Sequence, residues 1–235
     1  MLRVETVIAT NAAQAMAGDM AYPLVRIDPR DPEWSAGRIV EFAQRFPLDA
    51  VVAADEEGVV MAAVAARELG LPHNPPEAVR VTRDKAAMRQ VFADAALPQP
   101  LFRVIGADDD PVAACSEVGF PCVVKPVSLS ASRGVIRVDG IAEVADTVAR
   151  IRTITAEAGR DPGEPILAES FVPGTEVALE GLLVDGHLEV LALFDKPDPM
   201  NGPYFEETIL VTPSRLAHHV QDEIAAISGA AADAL

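Results

Sequence analysis

The chain has 235 residues, half of them apolar, and a net charge of −17. That length buries a core in one large or two small domains, and no apolar run approaches the ~18 residues of a membrane span. The acidity argues against a nucleic-acid partner, whose phosphates need a basic face.

The N-terminus is interrupted by Glu5 and followed by no cleavage pattern, so it does not read as a secretory signal. Cys115 and Cys122 have neither CxxC spacing nor a neighbouring His cluster. They read as incidental thiols of a cytoplasmic chain.

Residues 1–80 read as a Rossmann-like N-terminal domain with a parallel sheet. Val4–Thr10 and Leu48–Asp55 have the short apolar pattern of strands, and Trp34–Phe46 and Glu56–Leu69 that of helices. No G-x-G-x-x-G occurs, which removes the dinucleotide fingerprint. The chain opens directly on a strand followed by Asn11–Gly18, as if a first βα unit were missing.

Leu71–Pro76 reads as a stiff linker. Thr82 is the expected N-cap of a helix over Arg83–Ala95. A strand at Leu101–Ile105 and a helix at Pro111–Val118 follow. Phe120–Val127 and Gly134–Val138 then form a hairpin across the small-residue loop Ser128–Gly134. A helix over Ile141–Arg152 and a strand over Ile166–Val172 lead to the Pro173-Gly174 turn. Strands Glu176–Val184 and His187–Asp195 are joined by Asp185-Gly186, a strong hairpin signal. One more strand is expected at Phe205–Pro213 and a terminal helix at Ala217–Leu235.

Only three of the nineteen cations are lysines, so each lysine is conspicuous. Lys125 ends a buried strand and precedes Ser128, Ser130, Ser132 and Gly134. Small residues let backbone N–H groups approach anionic oxygens, and hydroxyls add donors. The pattern suits a phosphate clamp, although an ordinary flexible hairpin loop has the same composition. Beyond a Debye length of ~8 Å overall charge is screened, and two local stretches are basic. Arg80–Phe92 holds Arg80, Arg83, Lys85 and Arg89; Pro121–Gly140 holds Lys125, Arg133 and Arg137. An anionic ligand between these islands is the simplest reading.

The order of segments carries more than any one of them. R-D-K-A-A-M-R, F-P-C-V-V-K-P-V-S-L-S-A-S-R-G-V, L-A-E-S-F-V-P-G-T-E-V-A-L-E-G and A-L-F-D-K-P…G-P-Y-F-E-E-T together resemble the ATP-grasp superfamily, and within it the carboxylate–amine ligases. The resemblance implies an α/β and α+β chain, with a Rossmann-like N-terminal parallel sheet and then, over 81–235, an ATP-grasp fold of antiparallel-sheet lid and partial catalytic subdomain.

The resemblance also implies an ATP site. Lys85 and Lys125 would contact phosphates, and Ser128–Gly134 would be the lid. Glu169, Ser170, Phe171 and Val172 would form the hinge reading the adenine edge. Glu176 would accept the ribose hydroxyls. Lys196, the catalytic candidate, would face the reacting phosphate or the substrate carboxylate, with Glu206 and Glu207 near the substrate. Plainer readings stand beside these. Lys85 suits a solvated first turn, Glu176 an exposed strand end, and Lys196 a surface pair with Asp195. On a strand at most one of Glu206 and Glu207 faces the site.

Mg2+ would accompany ATP in such an enzyme, held by carboxylates and an Asn in an E-x-N pattern on later strands. After Pro213 only Asp222, Glu223 and Asp233 occur, on an expected helix, and the family's catalytic Arg segment is missing too. His187, His218 and His219 have no partners at metal-ligand spacing. The chain therefore reads as an internal piece of a ligase that activates a carboxylate as an acylphosphate for attack by an amine, itself inactive, with metal ligands elsewhere. Its partners would be ATP and small-molecule substrates, with no nucleic acid or membrane; a homodimer is compatible. The alternatives are a non-catalytic nucleotide-binding module or pseudoenzyme, and a Rossmann-like ligand sensor.

Overall fold

The computed structural model describes residues 4–11 and 24–235. The chain divides into two compact units, Met1–Val81 and Thr82–Leu235.

In the first unit, β1 (Ile8–Thr10) and β2 (Leu24–Arg26) pair in parallel. Helix α1 (Pro32–Ala43) starts where the Asp31 carboxylate accepts the Trp34 amide at 2.9 Å, with Pro32 in the first turn. It packs on α2 (Val59–Glu68), and Val25, Ile27, Ile39, Met61 and Val64 form the core between them. The expected Asn11–Gly18 segment lies, from residue 12 on, outside the described residues.

Leu48–Asp55 is not a strand. The Asp55 carboxylate instead turns the chain by accepting the Gly58 amide at 2.9 Å, and Val52 is 85% exposed rather than packed in a ladder. The expected stiff linker ends early: Pro76 opens a short helix, α3 (Pro76–Thr82). Thr82 closes that helix and does not cap the next one. Asp84 caps α4 (Lys85–Asp94), accepting the amides of Ala86 at 2.9 Å and Ala87 at 3.1 Å.

The second unit is built on an antiparallel sheet of β3 (Phe102–Ile105), β6 (Ile166–Ser170), β4 (Cys122–Pro126) and β5 (Ile136–Val138), in that order. Helices α5 (Pro111–Val118) and α6 (Val144–Glu157), the latter after a 3-10 turn at Ile141–Glu143, cover one face. Strand periodicity assigns the sides. Cys122 and Val124 of β4 join Ile166 and Ala168 of β6 in the core with Ile105, Val144 and Ile151. Val123, Lys125 and Glu169 therefore point to the opposite face. The thiols of Cys115 and Cys122 meet inside this core, and that mutual contact, helped by burial, pushes Cys122 far above the ordinary thiol range.

Strands β7 (Val177–Val184) and β8 (His187–Asp195) form the expected hairpin. Asp185 and Gly186 have φ of 50° and 80°, the signs that a two-residue type I′ turn requires. Phe205–Pro213 does not become a strand. It touches neighbouring strands through isolated bridges, Val211 to Asp195 and, just before it, Tyr204 to Ile136. Pro203 and Pro213 bracket the segment and cannot donate to a ladder. Helix α7 (His218–Ala234) ends the chain. No helix among the described residues is long and apolar enough to cross a membrane.

Candidate functional site

The face of β4 and β6 opposite the helices opens into a cleft of about 310 Å³ within the second unit. Its floor is an ion triad. Register places Val123 opposite Glu169, so Lys125, two residues further along β4, reaches Glu169 diagonally. Lys125 Nζ donates to Glu169 Oε2 at 2.5 Å. Arg89 Nε, from α4, donates to Oε1, also at 2.5 Å. The Glu169 side chain is only 6% exposed. Burial is the largest single influence and pushes its carboxyl pKa up, but the combined pull of Lys125 and Arg89 outweighs it and leaves the group below its ordinary value.

A second triad meets the same cleft through Glu176 and Glu207. Lys196, one residue beyond β8 and 8% exposed, donates to both Glu176 and Glu207. Burial, the largest influence, pulls the ammonium pKa down; hydrogen bonds and charge from the two carboxylates overcome it and raise it. The pairing of Lys196 with Asp195 anticipated from adjacency does not form. Asp195 accepts instead from the Ser214 hydroxyl at 2.5 Å and the Arg215 amide at 2.9 Å.

Of the residues singled out from the sequence, Lys125, Ser132, Glu169, Ser170, Phe171, Val172, Glu176 and Glu207 line the cleft. Lys196 joins it through its two carboxylates. Lys85 does not line it: its ammonium is spent on the backbone carbonyl oxygens of Leu129 and, at 3.5 Å, Val127, and its own amide donates to Val127 at 3.2 Å. Ser128 donates to both Glu164 oxygens at 2.8 and 2.9 Å. Ser130 accepts Arg133 through its carbonyl at 3.3 Å. Gly134 has φ +75°, and a Cβ there would lie 3.1 Å from Pro126. Glu206 is exposed and outside the lining. The two basic islands converge only in part. Arg89 and Lys125 meet, whereas Arg80 pairs with Glu33 in the first unit.

Sequence reasoning missed Arg89, Pro100, Val123, Val135, Met200 and Phe205 as cleft residues. Arg89 lies one helical turn after Lys85, a usable signal. Met200 and Phe205 arrive by a tertiary route. The Arg137 amide donates to the Pro203 carbonyl at 2.9 Å, and its guanidinium donates to the Asn201 carbonyl at 2.9 Å while lying 4.6 Å from the centre of the Phe171 ring. One cation thus ties that segment to the Phe171 ring.

No group of three or more His, Cys, Asp or Glu placed to hold a metal exists among the described residues. Glu169, Glu176 and Glu207 are each already matched to Lys or Arg. This donor set does not fit Mg2+. The cleft instead sets two cations around one carboxylate, near the Phe171 ring.

The chain is mixed α/β, and its antiparallel sheet carries Lys125 and Glu169 on a cleft that Phe171 also lines. The chain belongs to the ATP-grasp family: the pattern described as ATP-grasp domain matches residues 118–235, and that described as ATP-grasp N-terminal domain matches residues 2–73. Alanine–anticapsin ligase of Bacillus subtilis (strain 168) is 29% identical over 209 residues, 80% of this chain and 42% of that protein. The structure of the L-amino acid ligase from Bacillus licheniformis superposes with a TM-score of 0.73 at 27% identity, over 90% of this chain and 48% of that one. The ADP complex of N5-carboxyaminoimidazole ribonucleotide synthetase gives 0.71 at 17% identity, over 97% of this chain and 56% of that one, a likeness of fold alone. The chain thus spans about two fifths of the curated relative it matches over 209 residues.

Proposed function

We propose that this chain forms the nucleotide-binding part of an ATP-dependent ligase that activates a carboxylate as an acylphosphate for attack by an amine, with 1–80 as its N-terminal domain and 81–235 as its ATP-grasp domain. The observation that carries the reading is the Arg89–Glu169–Lys125 floor: two cations around one carboxylate, beneath the hinge Ser170–Val172. The likeness to two ligases supports the reaction class.

In this reading the phosphate chain lies over Lys125 and the base against Phe171, with backbone groups of 170–172 offered to its edge. Glu176 accepts sugar hydroxyls once a ligand draws Lys196 away. A substrate carboxylate oxygen attacks the terminal phosphorus, the bond to the bridging oxygen breaks, and ADP leaves. The amine nitrogen then attacks the acyl carbon, phosphate departs with the former carboxylate oxygen, and the nitrogen sheds a proton. The protein's share is positioning and charge neutralisation.

The described residues offer no carboxylate cluster for Mg2+, an observation that favours the second reading, nucleotide binding without turnover. Calorimetry with ATP, followed by ADP release with an amino acid mixture and Mg2+, tests both. Binding with ADP release supports ligation; binding without it leaves the binding module; absence of ATP binding overturns the reading.

A further inference from the structure

Glu169 is more than an acceptor for Lys125. Its two oxygens are divided, Oε1 to Arg89 and Oε2 to Lys125, each at 2.5 Å. The divided carboxylate is nearly sealed from water, at 6% exposure, while Arg89 and Lys125 retain 19% and 15%. Two cations and one carboxylate leave the floor one positive charge in surplus. The second triad is the reverse in charge, one lysine against Glu176 and Glu207. Without Arg89, the buried carboxylate would cancel Lys125, and the floor would offer a phosphate chain no net charge.

Arg89 is also held in place for this task. Its carbonyl accepts the Gln99 amide nitrogen at 3.0 Å, which fixes α4 against the loop before β3. Its Nε meets the carboxylate while its guanidinium borders the cleft. A guanidinium stays charged at any working pH, so it is a dependable counter-charge.

We propose that Arg89 is a positioning residue of the phosphate site: by taking one oxygen of Glu169 it leaves Lys125 a net positive charge toward the ligand. The proposal rests on the nucleotide reading above and adds to it a residue that acts through another.

A charge-restoring double variant tests it. Inorganic tripolyphosphate is the probe, because it has phosphates and no base, and adenosine is the control. Arg89→Gln should weaken tripolyphosphate binding by about tenfold or more, the scale of one charge-assisted contact, and leave adenosine unchanged. Arg89→Gln/Glu169→Gln removes one charge of each sign and should regain most of the lost affinity. A double variant no better than the single one, or a single variant with native affinity, overturns the proposal. A residue that only braced the fold would give a double variant worse than either single one. If Arg89→Gln alone does not fold, Arg89→Lys and the double variant carry the comparison, since both keep the surplus charge and both should bind.

A ligand-free measurement separates this inference from the nucleotide reading. With three lysines in the chain, a lysine-labelled sample gives three side-chain NMR signals to follow among the variants. The Lys125 side-chain signal should move in Arg89→Gln, because both Glu169 oxygens are then left to it, and move again in the opposite sense once Glu169→Gln is added. Glu176, Glu207 and Lys196 also face the cleft region and are common to all variants. If the wild type binds neither ATP nor tripolyphosphate the nucleotide reading falls, and the Lys125 signal alone then decides: a signal unchanged among the variants overturns the assignment of Arg89.

Discussion

Lys125 and Glu169 are 44 residues apart in sequence and 2.5 Å apart in space. The antiparallel register of β4 and β6 creates the contact, and the helix-covered core on the other face fixes which way both side chains point. The pair is at once a structural contact and the centre of the candidate site, so its two roles can be separated by experiment.

Stability comes first. Replacing Glu169 with Ala leaves two cations facing each other with little solvent. Breaking a buried pair from one side costs about 3 kcal/mol or more, so Glu169→Ala should lower the urea midpoint markedly. A midpoint within error of the wild type would show that the triad is not load-sharing in solution.

Ligand binding should respond differently. Lys125→Ala is expected to abolish the thermal protection that ATP confers, because the floor then has no net charge. Protection equal to that of the wild type would place the phosphates elsewhere. Lys85→Ala should act mainly by loosening the loop that its ammonium ties down at Leu129, and its effect is read as faster amide exchange at 128–134.

The two triads should also mark the two ends of the pH–stability profile. The folded pKa of Glu169 is lowered, so its contribution is complete above the ordinary carboxyl value of 4.5 and is lost as pH falls toward the folded value. The folded pKa of Lys196 is raised, so its contribution is complete below 10.5 and is lost as pH rises through the folded value. Urea unfolding across pH should therefore show Glu169→Gln flattening the acid limb only and Lys196→Met the alkaline limb only.

The backbone makes a sharper demand at Gly202. Its φ is +83°, and a Cβ would stand 2.8 Å from the Cβ of Arg137. Gly202→Ala should displace the segment that carries Met200 and Phe205. The cost in a strained left-handed position is about 1–3 kcal/mol, and nucleotide affinity should fall with it. A crystal structure of the variant with that segment unmoved would refute this.

The start of α4 offers a local test. Asp84→Ala should cost about 1 kcal/mol in thermal unfolding through lost capping, whereas Asp84→Asn, which keeps an acceptor oxygen at the cap, should cost much less. Equal effects would mean that the Asp84 oxygen does not cap the helix.

Much of this protein was readable in its residues. The 122–138 hairpin around a Lys-Pro strand end, the Asp185-Gly186 turn and α5 follow from local patterns, because strand alternation, turn chemistry and Gly119 at a helix end act over a few residues. The order of the motifs was enough to name the family. Tertiary structure decided the rest, since charges choose partners by distance in space rather than along the chain. Lys196 neighbours Asp195 in sequence and pairs with Glu176 and Glu207. Phe205–Pro213 has an apolar strand pattern and no ladder to join beyond single bridges. Arg89 looked like one cation of a basic stretch until β6 brought a buried carboxylate to it. A sequence states which charges exist; only the packed sheet determines which of them remain uncancelled at the cleft.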